Sequence, residues 1–157
     1  MAAPAAIERQ VTTTSADETQ SLGASLAASA SPGDLLCLWG ELGAGKTQLA
    51  KGFGRGLAIS DTINSPSFIL MAEYPGRLRL FHVDLYRLDG ASEAIAGGLL
   101  DERQGDGVTL IEWPERLGRA MPADRLDVVI EGSGDEPRHI TLRANGPRHA
   151  RYVESTP

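Results

Sequence analysis

Cysteine and lysine are scarce in this chain of 157 residues. Cys37 is the only cysteine, so no internal disulfide can form and no disulfide-linked partner is expected. It stands inside an apolar run and reads as packing rather than as a reactive thiol. No Cys/His cluster has zinc-ligand spacing, which argues against a structural zinc module. Lys46 and Lys51 are the only lysines; every other basic side chain besides histidine is arginine. Acidic residues outnumber basic ones by 21 to 15, for a net charge of −6 and a pI near 5.0. Such a chain has no electrostatic footprint of its own for nucleic acid, although a partner can bring it to RNA. No apolar run is long enough to span a membrane. The stretch Met1–Ile7 has neither a basic start nor a sustained apolar core, so no secretory signal is read there and a bacterial-type cytoplasmic protein is expected. A guanine-specifying Asn-Lys-x-Asp motif is also missing, which weighs against a Ras-like GTPase.

One motif stands out against these absences. Gly40-Glu41-Leu42-Gly43-Ala44-Gly45-Lys46-Thr47 satisfies G-x-x-x-x-G-K-[ST] at every fixed position. This is the phosphate-binding P-loop pattern. Its glycines let the backbone curl so that successive N–H groups converge on phosphate oxygens. Lys46 is placed to reach the β- and γ-phosphates, and the Thr47 hydroxyl to bind Mg²⁺. A helix starting there adds the positive end of its dipole. The context fits. Leu35–Trp39 is an unbroken apolar run, as a buried parallel strand reads. Leu49, Phe53 and Leu57 recur every four residues, as on the core face of a helix.

The length implies one domain with a real core. Residues 1–7 read as a flexible N-terminal tail, 8–144 as the P-loop domain and 145–157 as a flexible C-terminal tail. A first strand is expected near Val11–Thr14. A helix is expected from Ala16, where Ser15 and Glu18 have capping-box spacing. Phe68–Tyr74 and Leu78–Asp84 form an expected hairpin about Pro75-Gly76. Residues 91–100 are weakly helical. Val108–Ile111 reads as a buried strand and Pro114–Ala120 as a short helix with proline in its first turn. Leu126–Ile130 and His139–Leu142 read as late strands about the turn 132–135. The fold class is α/β: a single P-loop NTPase domain whose mixed central sheet carries antiparallel hairpins, with helices on both faces and the P-loop strand near the centre.

Hydrolysis needs a metal ion and a positioned water as well as a phosphate loop. Asp84 and Glu112 each end an apolar strand, where ligands of open α/β sheets gather, and they read either as site carboxylates or as solvated strand-end caps. Glu112 fits the logic of a Walker B strand, with Glu in place of the usual Asp. His82, within the same predicted strand as Asp84, reads as a packed or half-exposed sheet residue.

Four segments then form a pattern: GELGAGKT at Gly40–Thr47, SPSF at Ser65–Phe68, HVDLYRL at His82–Leu88 and LIEWPE at Leu110–Glu115. In this order and at these intervals they resemble the bacterial TsaE (formerly YjeE) family, the small ATPase of tRNA threonylcarbamoyladenosine biosynthesis. The resemblance covers about residues 15–143. It implies an ATP- and Mg²⁺-dependent subunit that works with TsaD and TsaB. That assembly places threonylcarbamoyl on adenosine 37 of tRNAs reading codons that begin with A, and the ATPase meets tRNA mostly indirectly. By the same resemblance, Gly43, Ala44, Gly45, Lys46 and Thr47 cradle the phosphates, and Thr47 and Glu112 hold Mg²⁺. Asp84 stands near the metal and the attacking water, so that Lys46, Asp84 and Glu112 form the catalytic set. Ser65 and Ser67 lie in a switch-like loop facing the γ-phosphate; the family more often has threonine at position 67. Trp113 packs near the nucleotide, faces a partner, or is plain packing.

Two other readings remain open from the residues. A small-metabolite P-loop kinase would use Arg116, Arg119 and Arg125 as a lid, and would transfer phosphate to an added metabolite. A nucleotide-gated interaction module would work without turnover. The locally basic stretch from Arg138 to Arg151 reads as a solvated face and tail, or as a contact for tRNA or an acidic partner groove.

Overall fold

A computed structural model describes residues 7–66, 71–88 and 102–156. Its frame is one seven-stranded mixed sheet in the order β1-β7-β6-β2-β5-β4-β3. The strands are β1 (Ile7–Thr13), β2 (Leu35–Trp39), β3 (Met71–Tyr74), β4 (Arg79–Asp84), β5 (Gly107–Glu112), β6 (Arg125–Glu131) and β7 (Arg138–Asn145). β6, β2, β5 and β4 run parallel in the middle, and antiparallel pairings of β7 with β6, β1 with β7 and β3 with β4 extend both edges. The P-loop strand β2 is therefore central. Its Leu35–Leu38 are buried, as a strand covered on both faces demands.

Helices α1 (Ala16–Ala27) and α2 (Lys46–Gly56) pack together over one face. Leu22 and Leu26 from α1, and Leu49 and Phe53 from α2, join the inward side chains of β2, β5 and β6 in the larger core. The start of α1 follows the predicted cap: Ser15 Oγ accepts from Glu18 N at 3.1 Å. Glu18 reaches back one residue further than a capping box requires, accepting from Thr14 N at 2.7 Å. The second face holds a smaller core of Leu35, Cys37, Val83, Leu85 and Ile111, closed by Leu117 of the 3₁₀ segment Pro114–Ala120. Burial pushes the Cys37 thiol up to about 12, so it packs as an inert side chain.

The chain end departs from the expected loose tail. Residues Ala150–Glu154 form a helical turn, α3, against β7 and β1. Tyr152 is fully buried, and its hydroxyl donates to Asp34 Oδ2 at 2.5 Å. Arg151 also donates to Asp34, and to Ser29 O. His149 accepts from Leu35 N at 3.0 Å and meets Asp124 at 2.8 Å. A buried carboxylate is stable only when paired, and this segment supplies the partners. Of the basic residues read as solvated, His149 and Arg151 are thus a clasp on the entrance to β2, while His139 and Arg143 stay exposed on β7 as expected. β1 begins at Ile7, earlier than expected, because its pairing with β7 runs along the whole strand. The rest of the proposed tail, 1–6, the segment 67–70 and the weak helix at 91–100 lie outside the described residues.

Candidate functional site

The parallel strands place their carboxyl ends on one rim. In the β4–β5 ladder Asp84 stands directly opposite Glu112. β2 ends beside them and leads through the P-loop into α2. Gly43 (φ +80°) and Gly45 (φ +115°) take left-handed conformations that side-chain-bearing residues adopt poorly, which explains glycine at both positions. Lys46 and Thr47 open α2, so unpaired N–H groups and the helix dipole face the rim.

A cavity of ≈ 330 Å³ forms there. Gly43, Gly45, Lys46, Thr47, Ser65, Asp84 and Glu112 all line it, together with Tyr86 and Trp113. Of the predicted site residues, Ala44 is buried behind the loop and lines a second cavity instead. Ser67 lies outside the described residues.

Each charged group is held. The Lys46 ammonium donates to Gly40 O and sits 3.7 Å from the centroid of the Trp113 ring. Burial lowers its pKa from the ordinary 10.5, opposed by the nearby Glu112, Glu115, Asp84 and Glu41 carboxylates. Trp113 has φ 60° and ψ 50°, a conformation uncommon for a bulky residue, and it also packs on Tyr86 at 4.9 Å between ring centroids. This turn directs the indole over the P-loop immediately after Glu112. Asp84 accepts from Ser65 Oγ with one oxygen and from Tyr86 N at 2.8 Å with the other. Glu112 is bonded to His82 Nε2 at 2.7 Å, with both side chains buried. His82 is therefore the packed sheet residue expected from the sequence, and it is also paired.

The second cavity, ≈ 290 Å³, adjoins the first across Gly43, Gly45 and Gln48 and reaches Thr13–Ala16 and Gly134–Glu136. Arg138 lines it. Its guanidinium donates to Ala44 O (2.9 Å), Gly43 O (3.3 Å), Gly134 O (3.1 Å) and Glu136 O. One side chain thus ties the phosphate loop to the β6–β7 turn. Sequence reading placed this residue only in a solvated or partner-facing basic stretch, because its partners in the phosphate loop lie 94 and 95 positions away. The only local signal was an arginine at the start of a strand.

The arginines offered as a kinase lid lie elsewhere. Arg125 is tied to Asp127 and Pro122 O, and Arg116 and Arg119 belong to the 3₁₀ segment after Trp113. Among the described residues no arginine lines the first cavity. Nor do the described residues form a group of three or more His, Cys, Asp or Glu able to hold a metal ion by themselves. Mg²⁺ does not require such a cage, since it binds through one or two carboxylates plus substrate phosphates and water. Thr47 and Glu112 offer the hard oxygen donors it prefers.

A family model described as "Threonylcarbamoyl adenosine biosynthesis protein TsaE" matches residues 13–140. The chain is similar to the tRNA threonylcarbamoyladenosine biosynthesis protein TsaE of Bacillus subtilis, at 43% identity over 143 residues, covering 90% of this chain and 89% of the relative. The protein of the same description from Streptomyces coelicolor is 38% identical over 136 residues, covering 82% and 92%. The crystal structure of Bacillus subtilis YdiB superposes with a TM-score of 0.81 at 36% identity, covering 98% of this chain and 97% of that one.

Proposed function

The chain belongs to the TsaE family of tRNA threonylcarbamoyladenosine biosynthesis, and from that premise we propose that it is the Mg²⁺-dependent, ATP-binding and ATP-hydrolysing subunit of this system. It acts in the cytoplasm with TsaD and TsaB homologues, which carry out the transfer to adenosine 37 of tRNAs reading codons that begin with A. The observation that carries the reading is the convergence of Lys46, Thr47, Asp84 and Glu112 on one cavity at the mouth of the P-loop.

The roles follow from the chemistry of each group. Backbone N–H groups of Gly43–Thr47 and the start of α2 take the phosphate oxygens. Lys46 exchanges its bond to Gly40 O for the β- and γ-phosphates. The Thr47 hydroxyl and the Glu112 carboxylate hold Mg²⁺, which when bound neutralises charge developing on the phosphoryl group. Asp84, held by Ser65 and Tyr86 N, orients the attacking water. Ser65 and Ser67 belong to the loop that meets the γ-phosphate. Contact with tRNA runs through the partners, in keeping with a net charge of −6.

The test is reconstitution. The purified chain, the TsaD–TsaB pair, tRNA and ATP should yield threonylcarbamoyladenosine, and Lys46→Ala should abolish the yield. Full modification by the Lys46→Ala protein would refute the proposal. Transfer of phosphate to an added metabolite would favour a kinase.

A further inference from the structure

Within β4, the neighbours Leu80, Phe81 and Val83 are apolar and buried, and His82 between them is equally buried. An apolar residue would fill such a position at no polar cost. The histidine instead leaves its Nδ1 buried without a hydrogen-bond partner among the described residues. A buried unpaired acceptor is destabilising, so the ring is retained for its other nitrogen. That nitrogen, Nε2, lies 2.7 Å from Glu112 Oε2. The ladder explains the meeting: His82 stands opposite Leu110, and Asp84 opposite Glu112, so His82 and Glu112 are diagonal neighbours on one face. With no acceptor at Nδ1, the ring hydrogen belongs on Nε2, where it is donated to the carboxylate.

We propose that His82 is a positioning residue that holds Glu112 by one oxygen and so presents the other to the metal ion in the cavity. The inference rests on the reading of Glu112 as a Mg²⁺ ligand. A carboxylate on a free side chain samples several rotamers and must settle into one on binding metal; a carboxylate bonded from behind is already placed. His82 touches neither nucleotide nor metal. It acts only through Glu112.

The test is equilibrium calorimetry of ATP binding at graded Mg²⁺, and with EDTA, in wild type, His82→Leu, His82→Gln and Glu112→Gln. His82→Leu should raise the Mg²⁺ concentration for half-maximal tight binding about tenfold or more, while metal-free ATP affinity stays within about twofold. His82→Gln should recover most of the loss, because its amide nitrogen can stand where Nε2 stood. An unchanged Mg²⁺ requirement in His82→Leu, alongside a raised one in Glu112→Gln, overturns the inference alone. An unchanged requirement in Glu112→Gln overturns the metal reading of Glu112 itself. A measurement on the unsubstituted protein stands whether or not the variants fold: ¹⁵N NMR of the imidazole should show Nε2 protonated with a slowly exchanging hydrogen. A ring protonated only at Nδ1 overturns the proposal.

Discussion

Lys46 carries most of what one side chain can contribute to this site. In the proposed role it is the charge that meets the terminal phosphates, and charge-assisted hydrogen bonds contribute about 1.5–3 kcal/mol each. Lys46→Ala should therefore weaken ATP binding by roughly ten- to a hundredfold and abolish hydrolysis, as calorimetry and phosphate release would show. The direction of its pKa shift adds a pH dependence. Burial lowers the Lys46 pKa below 10.5, so the nucleotide-free protein loses this proton earlier than the unfolded chain does. ATP affinity should fall as pH rises through that lowered value, because the phosphates need the ammonium. Fold stability should move the other way in the same window: the unfolded chain binds more protons there, so this group's penalty is relieved with rising pH up to 10.5. A Lys46→Ala protein whose ATP affinity falls just as steeply would assign the effect to another group. Asp84 and Glu112 should behave differently from Lys46. Asp84→Ala and Glu112→Gln both leave the phosphate loop intact, so both should keep measurable nucleotide binding while losing hydrolysis, and Glu112→Gln should also change the Mg²⁺ dependence. Wild-type turnover by Asp84→Ala in the assembled complex would remove Asp84 from the catalytic set.

Two elements depend on contacts that no local pattern announces. Helices α1 and α2 approach so closely that a Cβ on Gly52 would collide with the Gln20 backbone, and one on Gly23 with the Leu49 carbonyl. Overpacking of this kind costs about 1–3 kcal/mol, against roughly 1 kcal/mol of helix propensity gained by alanine. Because the obstacle at Gly52 is main chain, Gly52→Ala should destabilise by about 1–2 kcal/mol in denaturant unfolding. Gly105→Ala is the control, with nothing within 4 Å of its Cβ position. An unchanged midpoint for Gly52→Ala would show that the helices can part freely. At the other end of the chain, Tyr152→Phe removes the donor to buried Asp34 and should cost about 1–3 kcal/mol; a neutral result would return 150–157 to the status of a tail. These elements mark the boundary of what the sequence made legible. β2, the P-loop, α2 and the β3–β4 hairpin follow from runs and turns a few residues long, and so does the rim carrying Lys46, Thr47, Asp84 and Glu112. β1 was only half visible because Ile7–Gln10 are exposed and carry no apolar alternation; pairing with β7 decides it. Arg138 and the C-terminal clasp were misread for the same reason, and the bond between the packed His82 and Glu112 was hidden by it. Each acts through a partner distant in sequence, and single-chain periodicity contains no term for such pairs.

Taken as a whole, the described residues present a proposed nucleotide site that is built but short of positive charge. Among the described residues Lys46 is the one cation lining the P-loop cavity, and it feels the charge of four carboxylates, Glu112, Glu115, Asp84 and Glu41. Arg138 lines the adjoining cavity, but its donors are committed to P-loop and turn carbonyls. Arg87, three residues beyond Asp84, is exposed and does not line the cavity. Fast P-loop hydrolysis draws on an additional arginine, supplied in cis or by a partner and giving about 10³–10⁵ in rate. Ser65 is tied to Asp84 through its hydroxyl, so a neighbour that fixes Ser65 would also fix the carboxylate proposed to place the water. Exposed apolar groups flank the same opening: Leu42 is 64% and Tyr86 38% exposed, and both line the cavity. A surface of this kind beside a cavity with so little positive charge among the described residues suits a partner that covers the proposed site and completes it. The isolated chain should therefore release phosphate slowly, and adding the TsaD–TsaB pair should raise the rate by at least about tenfold, well inside what a supplied arginine can give. The measurement is phosphate release at saturating ATP and Mg²⁺, with and without the pair, using Lys46→Ala as the blank. A rapid rate from the chain alone, unchanged by the partners, would mean that the cavity needs nothing further, and the enzyme would be self-contained.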